Sequence, residues 1–258
     1  MLAGGVLAAA SRRRPAVRVA PFLRETGVIA LLYSLWVLAG RLSVGHPGNA
    51  YARARWIAAV ERSWHLPSEA GVQRVILAHP LLAQACNIFY ATMHAGSLVA
   101  LLAWLFLRHR DRYAEVRSSI ILVTLVCLTV QLIPVAPPRF LPGYVDTATR
   151  YGQSVYRGVA AADQLAAMPS VHVAWAVLIA LAIVRISTSP WRWLALAHPL
   201  VTCFVIVATA NHFWLDGVVA IVILALCELL LRAARSVRPR ITELVPVTWR
   251  KPEHITVG

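Results

Sequence analysis

Apolar residues run in long blocks along this chain, interrupted by short clusters rich in arginine and proline. A helix that crosses a bilayer needs about 20 largely apolar residues. Six blocks fit that length: 27–44, 81–107, 119–135, 170–186, 193–210 and 213–231. Two longer connections, 45–80 and 136–169, separate some of them, and the other connections are short. There is no internal repeat and no low-complexity tract. The pattern therefore predicts an all-α, polytopic membrane protein built as a six-transmembrane-helix bundle. It divides into an N-terminal tail (1–26), one membrane domain (27–232) and a C-terminal tail (233–258).

The first long connection has a pattern of its own. Across 51–64, Trp56, Val60 and Trp64 recur at i, i+4 and i+8, while Arg53, Arg55, Glu61 and Arg62 take other faces. This spacing predicts an amphipathic helix lying at the membrane surface, with tryptophans at headgroup depth. Pro67-Ser68-Glu69 then starts a second short helix, with Ser68 as its N-cap. The 45–80 segment fits a cap over the bundle as well as a surface that gathers lipid.

Composition agrees with the pattern. The chain has 258 residues, 59% hydrophobic and 14% charged, with mean hydropathy +0.65. Soluble domains run nearer half apolar and a quarter charged. Disordered, collagenous and disulfide-scaffold classes are excluded on this arithmetic. Cys86, Cys127, Cys203 and Cys227 each lie within an apolar block, without a CxxC pair, and read as small buried hydrophobes.

The charge balance is strongly basic, with 25 Lys+Arg against 11 Asp+Glu, and Lys251 is the sole lysine. These cations sit in short segments between apolar blocks rather than on one face, which argues against nucleic-acid binding. With the N-terminus cytoplasmic, seventeen of them fall on the inner side and eight on the outer. The positive-inside rule favours that orientation: both termini cytoplasmic, both long connections outside. The N-terminal stretch places its apolar residues before Arg12-Arg13-Arg14, the reverse of a secretion signal, and reads as a tail.

Ionisable residues within membrane spans are costly and mark function by default. Here they collect at one predicted face. His212 and Asp216, four apart, share a helix face, where a carboxylate on one imidazole nitrogen leaves the other as base or nucleophile. The same spacing also suits a structural pair at a helix start. Ser170 and His172 open the 170–186 block, where free N–H groups and the positive helix end favour an anion; Ser170 reads equally well as an N-cap. Arg139, after Pro137-Pro138, offers a fork that matches phosphate oxygens, or snorkels to headgroups. Asn87, Tyr90 and His94 share one face of the 81–107 block and could line a polar cavity beneath the site, with Asn211 beside His212.

Taken together, Pro169-Ser170-Val171-His172 and, some forty residues on, His212 with Asp216 resemble the type 2 phosphatidic acid phosphatase superfamily over roughly residues 80–232. The resemblance implies a lipid-phosphate phosphatase in which His212 attacks phosphorus to form a phosphohistidine. Asp216 would orient it, His172 would protonate the leaving oxygen, and Ser170 and Arg139 would bind phosphate. Neither metal nor other cofactor is implied. Three departures stand out: the K-x6-R-P motif is missing, Val171 replaces a glycine, and Val205 and Ile206 replace a Ser-Arg pair. With the N-x-x-Y-x-x-x-H run formed by Asn87, Tyr90 and His94, they make the chain resemble the inositol phosphorylceramide synthase branch and its bacterial relatives. That branch implies an alternative activity, transfer of a phosphoryl-headgroup to an acceptor alcohol. Either activity implies a phospholipid or prenyl phosphate substrate and an active site on the outer face of a bacterial plasma membrane. A metal hydrolase using His172, His212 and Asp216 would have an odd ligand set. A transporter or flippase with a His/Asp proton relay would spread its ionisable groups through the membrane depth, and a catalytically dead scaffold would not need both histidines and the aspartate.

Overall fold

The structure, a computed structural model, describes residues 48–154 and 164–244, with isolated positions between 27 and 42. The described residues form helices joined by loops, with no strand among them and one isolated parallel bridge between Val135 and Ala166. In chain order the helices are α1 (Ala50–Ser63), α2 (Glu69–Leu77), α3 (Pro80–Arg108), α4 (Arg110–Gln131), the single turn α5 (Thr147–Arg150), α6 (Val171–Ile186), α7 (Ala197–Ala208) and α8 (Trp214–Leu244). Short 3-10 turns occupy Pro138–Phe140 and Pro190–Leu196.

Four helical stretches are long and apolar enough to cross a membrane: α3, α4, Pro190–Ala208 and the Trp214–Val237 part of α8. The 16-residue α6 is apolar but shorter. The expected first span, 27–44, falls mostly outside the described residues. Described positions there are helical, and the Ser34 hydroxyl donates to the Ala30 carbonyl at 2.8 Å.

Three expected boundaries move, each for a local reason. The third block begins at Arg110, not 119, because its charged first turns satisfy one another through Arg112–Glu115 at 3.4 Å and Arg117 over Tyr113. Such an interfacial turn is helical without being apolar. The fifth block is split: Pro190 sits at the start of a 3-10 turn whose Trp191 N–H is capped by Ser189, and α7 begins only at Ala197. The last helix runs on past 231 to Leu244, its next turn built from the good helix formers Arg232, Ala233, Ala234 and Arg235. Arg235 pairs there with Glu115, so the segment read as a tail from 233 starts as helix.

The main core packs α3, α4, α6, α7 and α8 around Leu105, Val123, Val173, Ile179 and Val207. Leu81, Val99, Leu107, Leu200 and Leu230 remain exposed on its outside, as a lipid-facing surface requires. A second cluster joins Ala50, Ala54, Ile57 and Ala58 of α1 to Val135, Ala136, Leu141, Leu165 and Phe213. It lies over one end of the bundle and forms a cap. All four cysteines are free; three are buried and Cys203 is half-buried.

The cap explains the amphipathic pattern and adds a buried acidic residue to it. Trp56 and Trp64 are 67% and 63% exposed, as the membrane-surface reading expects. Glu61, off the tryptophan stripe as expected, belongs to the buried face with Ala54, Ile57 and Ala58. Ser68 caps α2 by accepting the Gly71 N–H at 3.3 Å. Both helices are pinned to the loops beneath. Arg53 Nε donates to Pro134 O at 2.7 Å, and Trp214 Nε1 to Pro67 O at 2.7 Å. Gln73 holds Val145 in both directions, donating to its carbonyl at 2.8 Å and accepting its N–H at 2.9 Å.

Candidate active site

Three loops meet under the cap. The 136–141 segment leaves α4, the 165–170 segment enters α6, and the 209–213 segment joins α7 to α8. Gln131, buried near the end of α4, donates to Pro169 O at 3.0 Å and so fixes the entry to α6. The Ser170 N–H donates to the Asp216 carbonyl at 3.1 Å, tying the start of α6 to the first turn of α8.

The turn that carries His212 is built by the end of α7. Ala210 adopts φ 54°, a left-handed conformation normally given to glycine. Its N–H bonds Val207 O at 2.9 Å, and the Asn211 N–H bonds Ile206 O at 3.0 Å. These two bonds make a Schellman cap. The reversal delivers Asn211 and His212 into the site, both 4% exposed.

His212 Nδ1 lies 2.6 Å from the Ala167 carbonyl and 3.3 Å from Asp216 Oδ2. Both neighbours are acceptors, so Nδ1 carries the proton and Nε2 keeps its lone pair. Asp216 is fully buried, and its Oδ2 also accepts the Phe213 N–H at 2.8 Å. The expected His212–Asp216 pair is therefore present, with a main-chain partner that the side-chain pattern did not reveal.

His172 faces His212 with ring centroids 5.7 Å apart. Tyr90 stacks on His172 at 4.4 Å, and His94 packs against it at 4.3 Å. His172 Nε2 and Ser170 Oγ are buried and have no hydrogen-bond partner among the described residues. Ser170 occupies the N-cap position of α6 without making a side-chain cap bond, which leaves its hydroxyl available to a ligand.

Arg139 is buried. Its N–H donates to Ala210 O at 2.9 Å, its guanidinium bonds Asn211 Oδ1, and Asp146 lies 3.8 Å from Nε. Asn211 in turn donates to Thr209 Oγ1 at 2.8 Å, so it anchors the guanidinium beside the histidine turn. Asn87 is engaged elsewhere. It accepts from Thr147 Oγ1 at 2.8 Å and donates to Gln153 at 3.1 Å, holding α3 to the 136–154 segment.

The structure thus gathers Tyr90, His94, Ser170, His172, His212 and Asp216, with Arg139 and Asn211 at the adjoining turn and Asn87 on α3, bonded to the supporting 136–154 segment. Sequence reasoning missed Gln131, Ala210 and Glu61. Gln131 carried a signal, being an uncharged polar residue in an apolar block; Ala210 carried none. Among the described residues, no group of three or more His, Cys, Asp or Glu side chains is arranged to hold a metal ion.

Two histidines and a carboxylate thus lie together at one end of an apolar helical bundle. Residues 55–230 match the PAP2 superfamily, and the chain belongs to it. Membership places it among membrane enzymes of the phosphatase and phosphotransferase type. No curated protein and no solved structure matches the chain.

Proposed function

We propose that the protein is a six-span integral enzyme of a bacterial plasma membrane that removes phosphate from a lipid phosphate at the outer face, through a phosphohistidine on His212. One observation carries the reading: Nδ1 of His212 is held by two acceptors, which leaves Nε2 its lone pair on a ring 5.7 Å from that of His172. In this mechanism Nε2 attacks phosphorus, and the bond from phosphorus to the lipid oxygen breaks. His172 gives its proton to that oxygen, so the lipid leaves as an alcohol. Asp216 and the Ala167 carbonyl stabilise the positive imidazole. Water then attacks the phosphohistidine, His172 takes a proton from it, and phosphate departs with His212 restored. Ser170, Arg139 and the first N–H groups of α6 would bind the phosphate oxygens, while Tyr90 and His94 would line the lipid side.

The outer-face assignment rests on the arginine distribution, which places the site end of the bundle opposite the cation-rich ends. Transfer to an alcohol in place of water is a second reading, supported by the burial of His212 beneath a cap and by the aromatic wall of Phe89 and Tyr90. Grouping of the ionisable residues at one end argues against a transmembrane proton relay. The test is incubation of purified protein with a panel of lipid phosphates, with and without alcohol acceptors, following phosphate release and product mass. His212→Ala is expected to fall to background while remaining folded. Undiminished turnover in that variant would refute the assignment.

A further inference from the structure

Three buried carboxyl groups crowd the junction of cap and site. Glu61 is 3% exposed, Glu69 6% and Asp216 0%. Each has one oxygen engaged: Glu61 Oε1 accepts the Leu215 N–H at 2.7 Å, Glu69 Oε2 accepts the Tyr144 hydroxyl at 3.2 Å, and Asp216 Oδ2 accepts the Phe213 N–H. Each also has a second oxygen, buried and without a partner among the described residues: Glu61 Oε2, Glu69 Oε1 and Asp216 Oδ1. No arginine, lysine or histidine forms an ion pair with Glu61 or Glu69 among those residues. The two glutamates, on α1 and α2, lie within hydrogen-bonding reach of one another. Two carboxylates so placed cannot both ionise cheaply, whereas one proton between them supplies the missing donor.

We propose that Glu61 and Glu69 share one proton, and that this pair positions the His212–Asp216 turn by holding the Leu215 N–H at the start of α8. Glu61 thus caps α8 from another helix, supplying an acceptor to one of the N–H groups that every helix start leaves unpaired. The groups facing the pair are Asp216 on α8, Tyr144 on the 136–154 segment and, near Tyr144, Arg62 on α1. Burial, the Glu69 carboxyl and the Asp216 charge push the Glu61 carboxyl up from 4.5 to about 9. The folded state therefore holds a proton that the unfolded chain releases. Its stabilising contribution is fully present below about pH 4.5 and is lost as pH rises through about 9. The positioning role rests on His212 being the nucleophile; the shared proton does not.

The test has two arms on purified full-length protein. In the first, Tm is followed from pH 7 to pH 10, together with the infrared carbonyl band of a protonated carboxyl. Wild type is expected to lose several degrees and the band. Glu61→Gln, which keeps the acceptor but cannot ionise, is expected to lack the band at neutral pH and to keep its Tm. Parallel Tm loss in both proteins, or a Tm lowered by chelator, would overturn the shared proton. In the second arm, phosphate release is measured against pH. Glu61→Ala is expected to lower kcat about 10²-fold by displacing the turn, with KM little changed. Glu61→Gln is expected to recover most of that loss and to lack the alkaline decline. An unchanged kcat in Glu61→Ala would overturn the positioning role. If wild type released no phosphate from any lipid, the proposed function would fail, while the first arm would still decide the pair.

Discussion

At His212 the shorter contact is to a main-chain oxygen, and this changes what its carboxylate has to do. Where a carboxylate alone fixes the tautomer of a catalytic histidine, replacing it by the amide costs about 10⁴-fold, because the wrong nitrogen keeps the proton. Here the Ala167 carbonyl, 2.6 Å from Nδ1, holds the tautomer without Asp216. Asp216→Asn is therefore expected to remove only the charge that stabilises the cationic imidazole, a loss on the order of 10²-fold in kcat. Lipid-phosphate turnover measured against His212→Ala as background checks it; a loss equal to that of His212→Ala would show that the carbonyl does not suffice. His172→Ala is expected to cripple hydrolysis of alkyl phosphates and largely spare an activated aryl phosphate, whose leaving oxygen needs little protonation. Equal loss on both substrates would remove His172 from the acid role. The pairing of His212 with Asp216 was legible because two side chains four apart declare a helix face. The Ala167 carbonyl was not, because a main-chain oxygen reached from forty-five residues away leaves no mark on residue type.

Elements fix these side chains through their ends. The left-handed turn at Ala210 reverses the chain after α7, and the residue there needs only to be small. Ala210→Gly is expected to preserve activity. Ala210→Val, with a branched side chain in the left-handed region, is expected to lower kcat sharply by rotating Asn211 and His212 away from Ala167. The cap is held by similarly economical means. Gln73→Ala would leave the half-buried Val145 N–H and carbonyl without their partner, at a cost of about 1 kcal/mol for each hydrogen bond lost. Thermal unfolding in detergent reads that loss, and an unshifted Tm would mean that α2 is not held there. Ser68 as a cap and the exposed Trp56–Trp64 stripe could be read in advance, since propensity and period are local. The inward turn of Glu61 could not, because periodicity gives a helix its faces and not the identity of what each face meets.

For the whole molecule, hydropathy located α3 and α6 to within a residue or two and blurred the others wherever charged or proline-bearing turns continue a helix beyond its apolar part. Orientation is tested by introducing cysteines at Pro142, exposed on the site-end loop, and at Ser236, exposed on the far part of α8. With an impermeant thiol reagent on intact cells, only the first is expected to react; labelling of the second alone would invert the protein in the membrane. Most native thiols are shielded, so background is low. A last consequence follows from the length of α6. Sixteen residues at 1.5 Å each reach about 24 Å, while the hydrocarbon layer is about 30 Å thick. In the proposed orientation, with Arg185 and its partner Glu228 marking the inner boundary, the Ser170 end would stop short of the opposite one. Catalysis would then take place below the plane of the surrounding phosphates, in a dimple of the outer leaflet, and a substrate would have to sink toward it. Bilayer thickness becomes a control on rate: turnover should rise in vesicles of short-chain lipids and fall in thick, ordered ones, where the descent is longer.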